Sequence, residues 1–165
     1  MPGIPMAIAA ALLVAMAAAA GAQSVPAAKV DASLRRVFGR DLTVVAVRID
    51  SATILRVAHG DTLLGWAQVR NVKGKDQPIT YLVAVDPSGR LRDVDVLVYR
   101  EPYGGEVAYE PWRRQIRGKN GDAPLVVGKD IRNISGATIS VHAVTAGVRR
   151  ALDEFAAWRI RQQLR

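Results

Sequence analysis

Apolar residues recur along this chain with two periods. Between Lys29 and Phe38 they fall at Val30, Leu34, Val37 and Phe38, a helical spacing that Gly39 ends. From Leu42 the pattern turns β-branched. Leu42 to Ile49 (LTVVAVRI) and Ala52 to Ala58 (ATILRVA) predict two strands joined tightly at Asp50-Ser51. His59-Gly60-Asp61 is a turn, and Leu63 to Val72 predicts a third strand with a bulge at Gly65. Ile79 to Val85 (ITYLVAV) and Leu91 to Tyr99 predict a fourth and a fifth. Asp86-Pro87-Ser88-Gly89 suits the turn between them, so the pair should form an antiparallel hairpin. Alternation along the fifth is imperfect.

Glu101-Pro102-Tyr103-Gly104-Gly105 stops that strand abruptly. Pro111 to Arg117 predicts a short helix with Pro near its start, closed by Gly118 to Gly121. From Ser140 onward, Val141, Val144, Val148, Leu152, Phe155 and Trp158 recur at three and four. This spacing predicts a helix of roughly six turns. Its other face carries Arg149, Arg150, Asp153, Glu154 and Arg161. A helix, a run of antiparallel strands and then helices make an α+β domain, with a sheet of about five strands and both terminal helices packed on it.

Charge divides the chain. The first 28 residues hold no Asp, Glu, Lys or Arg, so the whole +8 balance lies beyond them. Ala7 to Ala20 is an Ala-rich apolar run followed by Ala20-Gly21-Ala22, an A-x-A pattern. Residues 1–22 therefore read as a secretory signal peptide, with an uncleaved membrane anchor as the alternative, and the expected location is periplasmic. The run is shorter than the ~20 apolar residues of a spanning helix. Residues 23–62 would hold the first helix and strands, and 159–165 a basic end suited to anionic lipid or an acidic redox partner.

The chain has no cysteine, which excludes disulfides, c-type haem, thiolate-bound iron–sulfur clusters and zinc ribbons. Two histidines argue against a His-rich metal site. A pI near 10.4 raises nucleic acid as a partner. The predicted export and the lack of a nucleic-acid module argue against it.

The most informative stretch is Asn133-Ile134-Ser135-Gly136-Ala137-Thr138-Ile139-Ser140. Small residues let a backbone approach a bulky anion, and a helix start supplies free N–H groups for phosphate. Ser140 is the expected cap of the last helix. A hydroxyl in this setting is available for esterification by the same phosphate.

Ser135-Gly136-Ala137-Thr138 resembles the flavin-attachment motif of the FMN-binding domain family. That domain occurs in the C subunit of sodium-pumping NADH:quinone reductase and the G subunit of Rnf complexes. Two upstream segments are also similar to the family: the Gly-rich bend Glu101 to Gly105, and Trp112-Arg113-Arg114-Gln115-Ile116-Arg117-Gly118-Lys119. The resemblance spans roughly Leu63 to Phe155, within a domain set at 63–158.

It implies FMN as cofactor, joined to Thr138 through a phosphoester by a separate magnesium-dependent flavin transferase. Ser135, Gly136 and Ala137 complete the recognition sequence, with Ser140 beside them. Glu101, Tyr103, Gly104 and Gly105 are implied near the ring, Tyr103 stacking on it. Gly118 and Lys119 are implied at the phosphate end. Family members commonly carry Asp six residues before the Thr. Here that residue is Arg132, with Asp130 two residues earlier. The expected role is an exported electron carrier serving a membrane oxidoreductase, rather than a complete enzyme. The alternative is a noncovalent flavin-binding or protein-interaction subunit of such a complex.

Overall fold

A computed structural model describes residues 25–161. The expected signal peptide lies outside that range, as do the last residues of the basic C-terminal end. Helix α1 (Ala27–Phe38) leads into strands β1 (Thr43–Ile49), β2 (Ala52–His59), β3 (Thr62–Lys73), β4 (Pro78–Val85) and β5 (Leu91–Val98). A single 3-10 turn at Gly105–Ala108 and a one-turn helix α2 (Glu110–Arg113) follow, and α3 (Thr138–Ile160) closes the described chain. The five strands lie in chain order, each antiparallel to the next, as the α+β reading requires.

The helices cover opposite faces of the sheet. Ile79, Tyr81, Val83 and Val85 of β4 share one core with Val141, Val144, Val148 and Leu152 of α3. Leu82 and Ala84, the intervening residues, share the other core with Val30, Leu34 and Phe38 of α1. A strand buried on both sides has no polar face, which is why ITYLVAV reads as a continuous apolar run. Arg70 of β3 and Glu154 of α3 form a bidentate pair at 2.6 and 3.0 Å, fixing the helix along the sheet.

Gly65 is a bulge site, as expected. Pairing of β2 with β3 slips between Val57 and Ala58, leaving Leu64 unmatched. A Cβ on Gly65 would lie 2.0 Å from the Val85 carbonyl oxygen, so no other residue fits. The carbonyl of Leu64 instead accepts from Arg92 Nη1 at 3.2 Å.

Strand β5 explains its own irregular alternation. Its register with β4 slips twice, passing over Arg92 and Leu97. Each slip shifts the following residues to the opposite face. The Leu97 carbonyl is satisfied by Lys29 Nζ of α1 at 3.1 Å. The slips also leave Asp93 and Asp95 buried. Asp93 pairs with Arg113 and Arg117, both at 2.8 Å, and Asp95 with Arg36 of α1. Glu110 joins both Arg113 and Arg117. This network ties α1 and α2 across the edge strand.

Two expected elements differ. The helix predicted for Pro111 to Arg117 holds α-helical form only to Arg113. Beyond it the amides of Gln115 and Ile116 bond three residues back, to Trp112 and Arg113, a tighter winding. The last helix starts at Thr138, not at a Ser140 cap. Ala137 occupies its N-cap position and no side chain caps it.

The two described cations of the C-terminal end, Arg159 and Arg161, bond to turns of the sheet. Arg159 donates to the Ser88 carbonyl at the β4–β5 turn, and Arg161 pairs with Asp50 at the β1–β2 turn at 3.0 Å. No helix among the described residues is long and apolar enough to cross a membrane.

Removing Asp93 takes its nearest carboxylate from the buried Arg113 guanidinium, leaving only the half-exposed Glu110, and Asp95 at 4.0 Å. Asp93→Ala should therefore lower unfolding free energy by about 3–5 kcal/mol, read from denaturant midpoints at constant m-value.

Candidate functional site

The chain between β5 and α3 has little regular structure of its own, so side chains set its path. Trp112 Nε1 donates to the Arg132 carbonyl at 3.1 Å. The Arg132 amide donates to Gln115 Oε1 at 2.8 Å. Both main-chain polar groups of Arg132 are thus gripped by the segment at and just after α2. Trp112 and Ile116, four residues apart, are both buried in the core, and Trp112 carries the clamp as well.

Held this way, residues 136–140 form one wall of a cavity of about 500 Å³. Lys75 and Asp76 of the β3–β4 turn form a second wall, and Glu101 to Tyr103 a third. A hollow of about 340 Å³ shares Glu101, Pro102, Tyr103 and Gly136 with it, and extends past Gly104 and Gly105 to Tyr109. The larger volume falls within the range of pockets that take small organic cofactors.

The start of α3 supplies the chemistry of its wall. An α-helix begins with amides that have no partner within the helix. Those of Thr138, Ile139 and Ser140 are the first three, and no side chain caps them. Ser140 is buried and its hydroxyl is engaged elsewhere, 2.7 Å from Tyr99 Oη. Tyr99 Oη also donates to the Tyr103 carbonyl. One phenol thus latches the helix start to the Gly-rich bend. Thr138 is exposed, and its Oγ1 accepts from Asn133 Nδ2 at 3.0 Å. Ala137 is buried, and Ser135 lies in the turn that Gly136 makes at φ +84°. A phosphate fits this wall: the amides are open, the local dipole favours an anion, and the flanking residues are small.

The Gly-rich bend borders both hollows and also makes room for the latch. Gly104 sits at φ +90°, and a Cβ there would lie 2.7 Å from Tyr99 Oη and 3.0 Å from Ser140 Oγ. It is glycine to clear the latch. Gly105 opens the 3-10 turn, and a Cβ there would meet the Tyr99 ring at 3.6 Å, an ordinary contact. Tyr103 is 83 % exposed on the rim, with its ring free to cover a ligand.

Glu101 turns its carboxylate to the β3–β4 turn. Its Oε1 accepts from the amides of Gln77 at 2.9 Å and Asp76 at 2.7 Å. Those two bonds hold its pKa below the ordinary 4.5. Glu101 therefore fixes the wall that carries Lys75 and Asp76. The structure does not bring Lys119 to the cavity. Its ammonium pairs with Asp130 at 2.9 Å and steadies the loop before the motif. Burial opposes ionisation of Asp130, but the amides of Val126 and Leu125 and the Lys119 ammonium outweigh it and bring its pKa to about 2.

Lys75, Asp76 and Tyr99 are the cavity and latch residues that no sequence motif singled out. Gln115 and Asn133 stood inside quoted segments, but their hydrogen-bonding roles carried no signal there. Because the Glu101 pKa is lowered on folding, its hold on the turn is complete above pH 4.5 and is lost as pH falls through the lowered value. Glu101→Gln should speed amide exchange at Asp76 and Gln77 at neutral pH and remove its acid dependence, measured by hydrogen exchange.

Residues 74–153 match the model of the FMN-binding domain, inside the range the sequence motifs covered. The chain is 31% identical over 102 residues to the G subunit of the proton-translocating ferredoxin:NAD(+) oxidoreductase complex of Clostridium ljungdahlii. That match takes in 58% of this chain and 55% of the relative, so the chain spans about half the length of the curated protein it resembles. Residues 74–153, just under half of the chain, are thus similar to the FMN-binding domain, and that similarity indicates FMN as the cofactor.

Proposed function

We propose that this protein is an exported electron-transfer subunit of a membrane redox complex, with FMN esterified to Thr138. The observation that carries the reading is the position of Thr138. It is exposed at the first turn of an uncapped helix and lines the 500 Å³ cavity. FMN supplies the electron chemistry, and the chain supplies binding and orientation.

The residues divide that work. The amides of Thr138 to Ser140 meet the phosphate. Lys75 is the one cation among the described residues lining the larger cavity, where it offsets negative charge on a bound flavin. Tyr103 lies where it can cover the ring and exclude water. Ser135, Gly136 and Ala137 present Thr138 to the flavin transferase. The similarity to a component of a ferredoxin:NAD(+) oxidoreductase complex supports a membrane redox partner. The apolar run at Ala7 to Ala20 supports export.

Arg132, where the family commonly has Asp, favours a second reading in which FMN is held without a covalent bond. Intact mass separates the two. Coexpressed with a flavin transferase, the wild-type chain should gain the mass of one FMN less one water. Thr138→Ala should abolish the gain, and Ser140→Ala should retain it. A wild-type chain that binds FMN but releases all of it on denaturation would establish the noncovalent reading instead.

A further inference from the structure

The hydroxyl of Thr138 is exposed, yet it already has a partner. Asn133 Nδ2 donates to Thr138 Oγ1 at 3.0 Å, across the turn that holds Ser135 and Gly136. We propose that Asn133 is a positioning residue for flavin attachment, setting the rotamer in which Thr138 meets the phosphoryl donor. The inference rests on the covalent reading above.

Within a helix a threonine hydroxyl is steered by the carbonyl three or four residues back. Thr138 is the first helical residue, so the preceding turn that would supply such a carbonyl is not there. Nothing in the helix itself then selects a rotamer for a hydroxyl facing solvent. Asn133 does so from outside the helix. It can because its neighbour is immobilised: the Arg132 amide and carbonyl are both bonded, to Gln115 and Trp112. Trp112 is in turn buried in the core. A continuous line of bonds therefore runs from the core to Thr138 Oγ1.

The polarity of the contact matters. A hydroxyl has one O–H and two lone pairs. A side-chain amide N–H can only donate, so Asn133 occupies one lone pair and leaves the other lone pair and the O–H available. In the transfer, a bond forms between Thr138 Oγ1 and the phosphorus on the FMN side of FAD. The phosphoanhydride bond to AMP breaks, AMP leaves with the bond's electrons, and the hydroxyl proton passes to a base of the transferase. No electron changes hands, and the oxygen that Asn133 holds becomes the bridging ester oxygen.

The test is steady-state flavin transfer from FAD to this chain by a magnesium-dependent flavin transferase, followed by intact mass. Asn133 is exposed, so Asn133→Ala should keep its unfolding midpoint and its Kd for free FMN. Its kcat as acceptor should fall roughly 3- to 10-fold, as expected for one lost hydrogen bond, with KM for the acceptor chain unchanged. Equal kcat for the variant and a modified wild type would overturn this inference alone. So would a change confined to KM or to the unfolding midpoint. A wild-type chain that is never modified would overturn the attachment reading and this inference with it.

Discussion

Three main-chain amides at the start of α3 have no acceptor within the helix, and the rest of the structure holds them in that state. A buried Ala137 stands where a capping side chain would be. Ser140, the nearest hydroxyl that faces inward, is turned away by Tyr99. An unsatisfied helix start is costly unless water or a ligand completes it. Here it opens into a cavity beside the small residues Gly136 and Ala137, so an anion with several acceptor oxygens completes it best.

Keeping that end in place falls to contacts distant in sequence. The bidentate Arg70–Glu154 pair and the core shared by α3 and β4 fix the helix axis. The clamp on Arg132 fixes the chain entering the helix, and the Tyr99 latch joins the helix to the Gly-rich bend. Glu101 then fixes the opposite wall through the β3–β4 turn. The Arg132 clamp, the Tyr99 bond to the Tyr103 carbonyl and the Glu101 bonds each satisfy a main-chain polar group that irregular backbone would otherwise leave unpaired. The cavity is therefore built from the same bonds that let the long connection from β5 to α3 fold with only single turns of helix along it.

Much of the fold was legible in the chain because local signals agreed with tertiary ones. The apolar run of β4, the turn residues at Asp86 to Gly89 and the spacing of Val141 to Trp158 each pointed to the element observed. Strand β5 was harder. Its two register slips break the alternation that a regular pleat would show, and its buried Asp93 and Asp95 find cations on α1 and α2. The attachment motif was legible because its residues are contiguous. The Glu101 to Tyr103 wall had its Gly-rich bend as a signal, but the β3–β4 wall did not, since Lys75 and Asp76 lie far from Thr138 along the chain and no local pattern joins them. Ser140 looks like a cap by type, but its partner is 41 residues away. Lys119 looks like a phosphate ligand by its place after Gly118, and the Asp130 carboxylate takes it instead.

Whether FMN places its phosphate on the open amides of α3 is tested most directly by titrating the 15N-labelled protein with FMN. The largest amide shifts should fall at Thr138, Ile139 and Ser140, with smaller ones at Lys75 and Asp76 on the facing wall. Inorganic phosphate should move the first group alone. Shifts centred elsewhere, with the amides of residues 138–140 unmoved at saturating FMN, would contradict that placement.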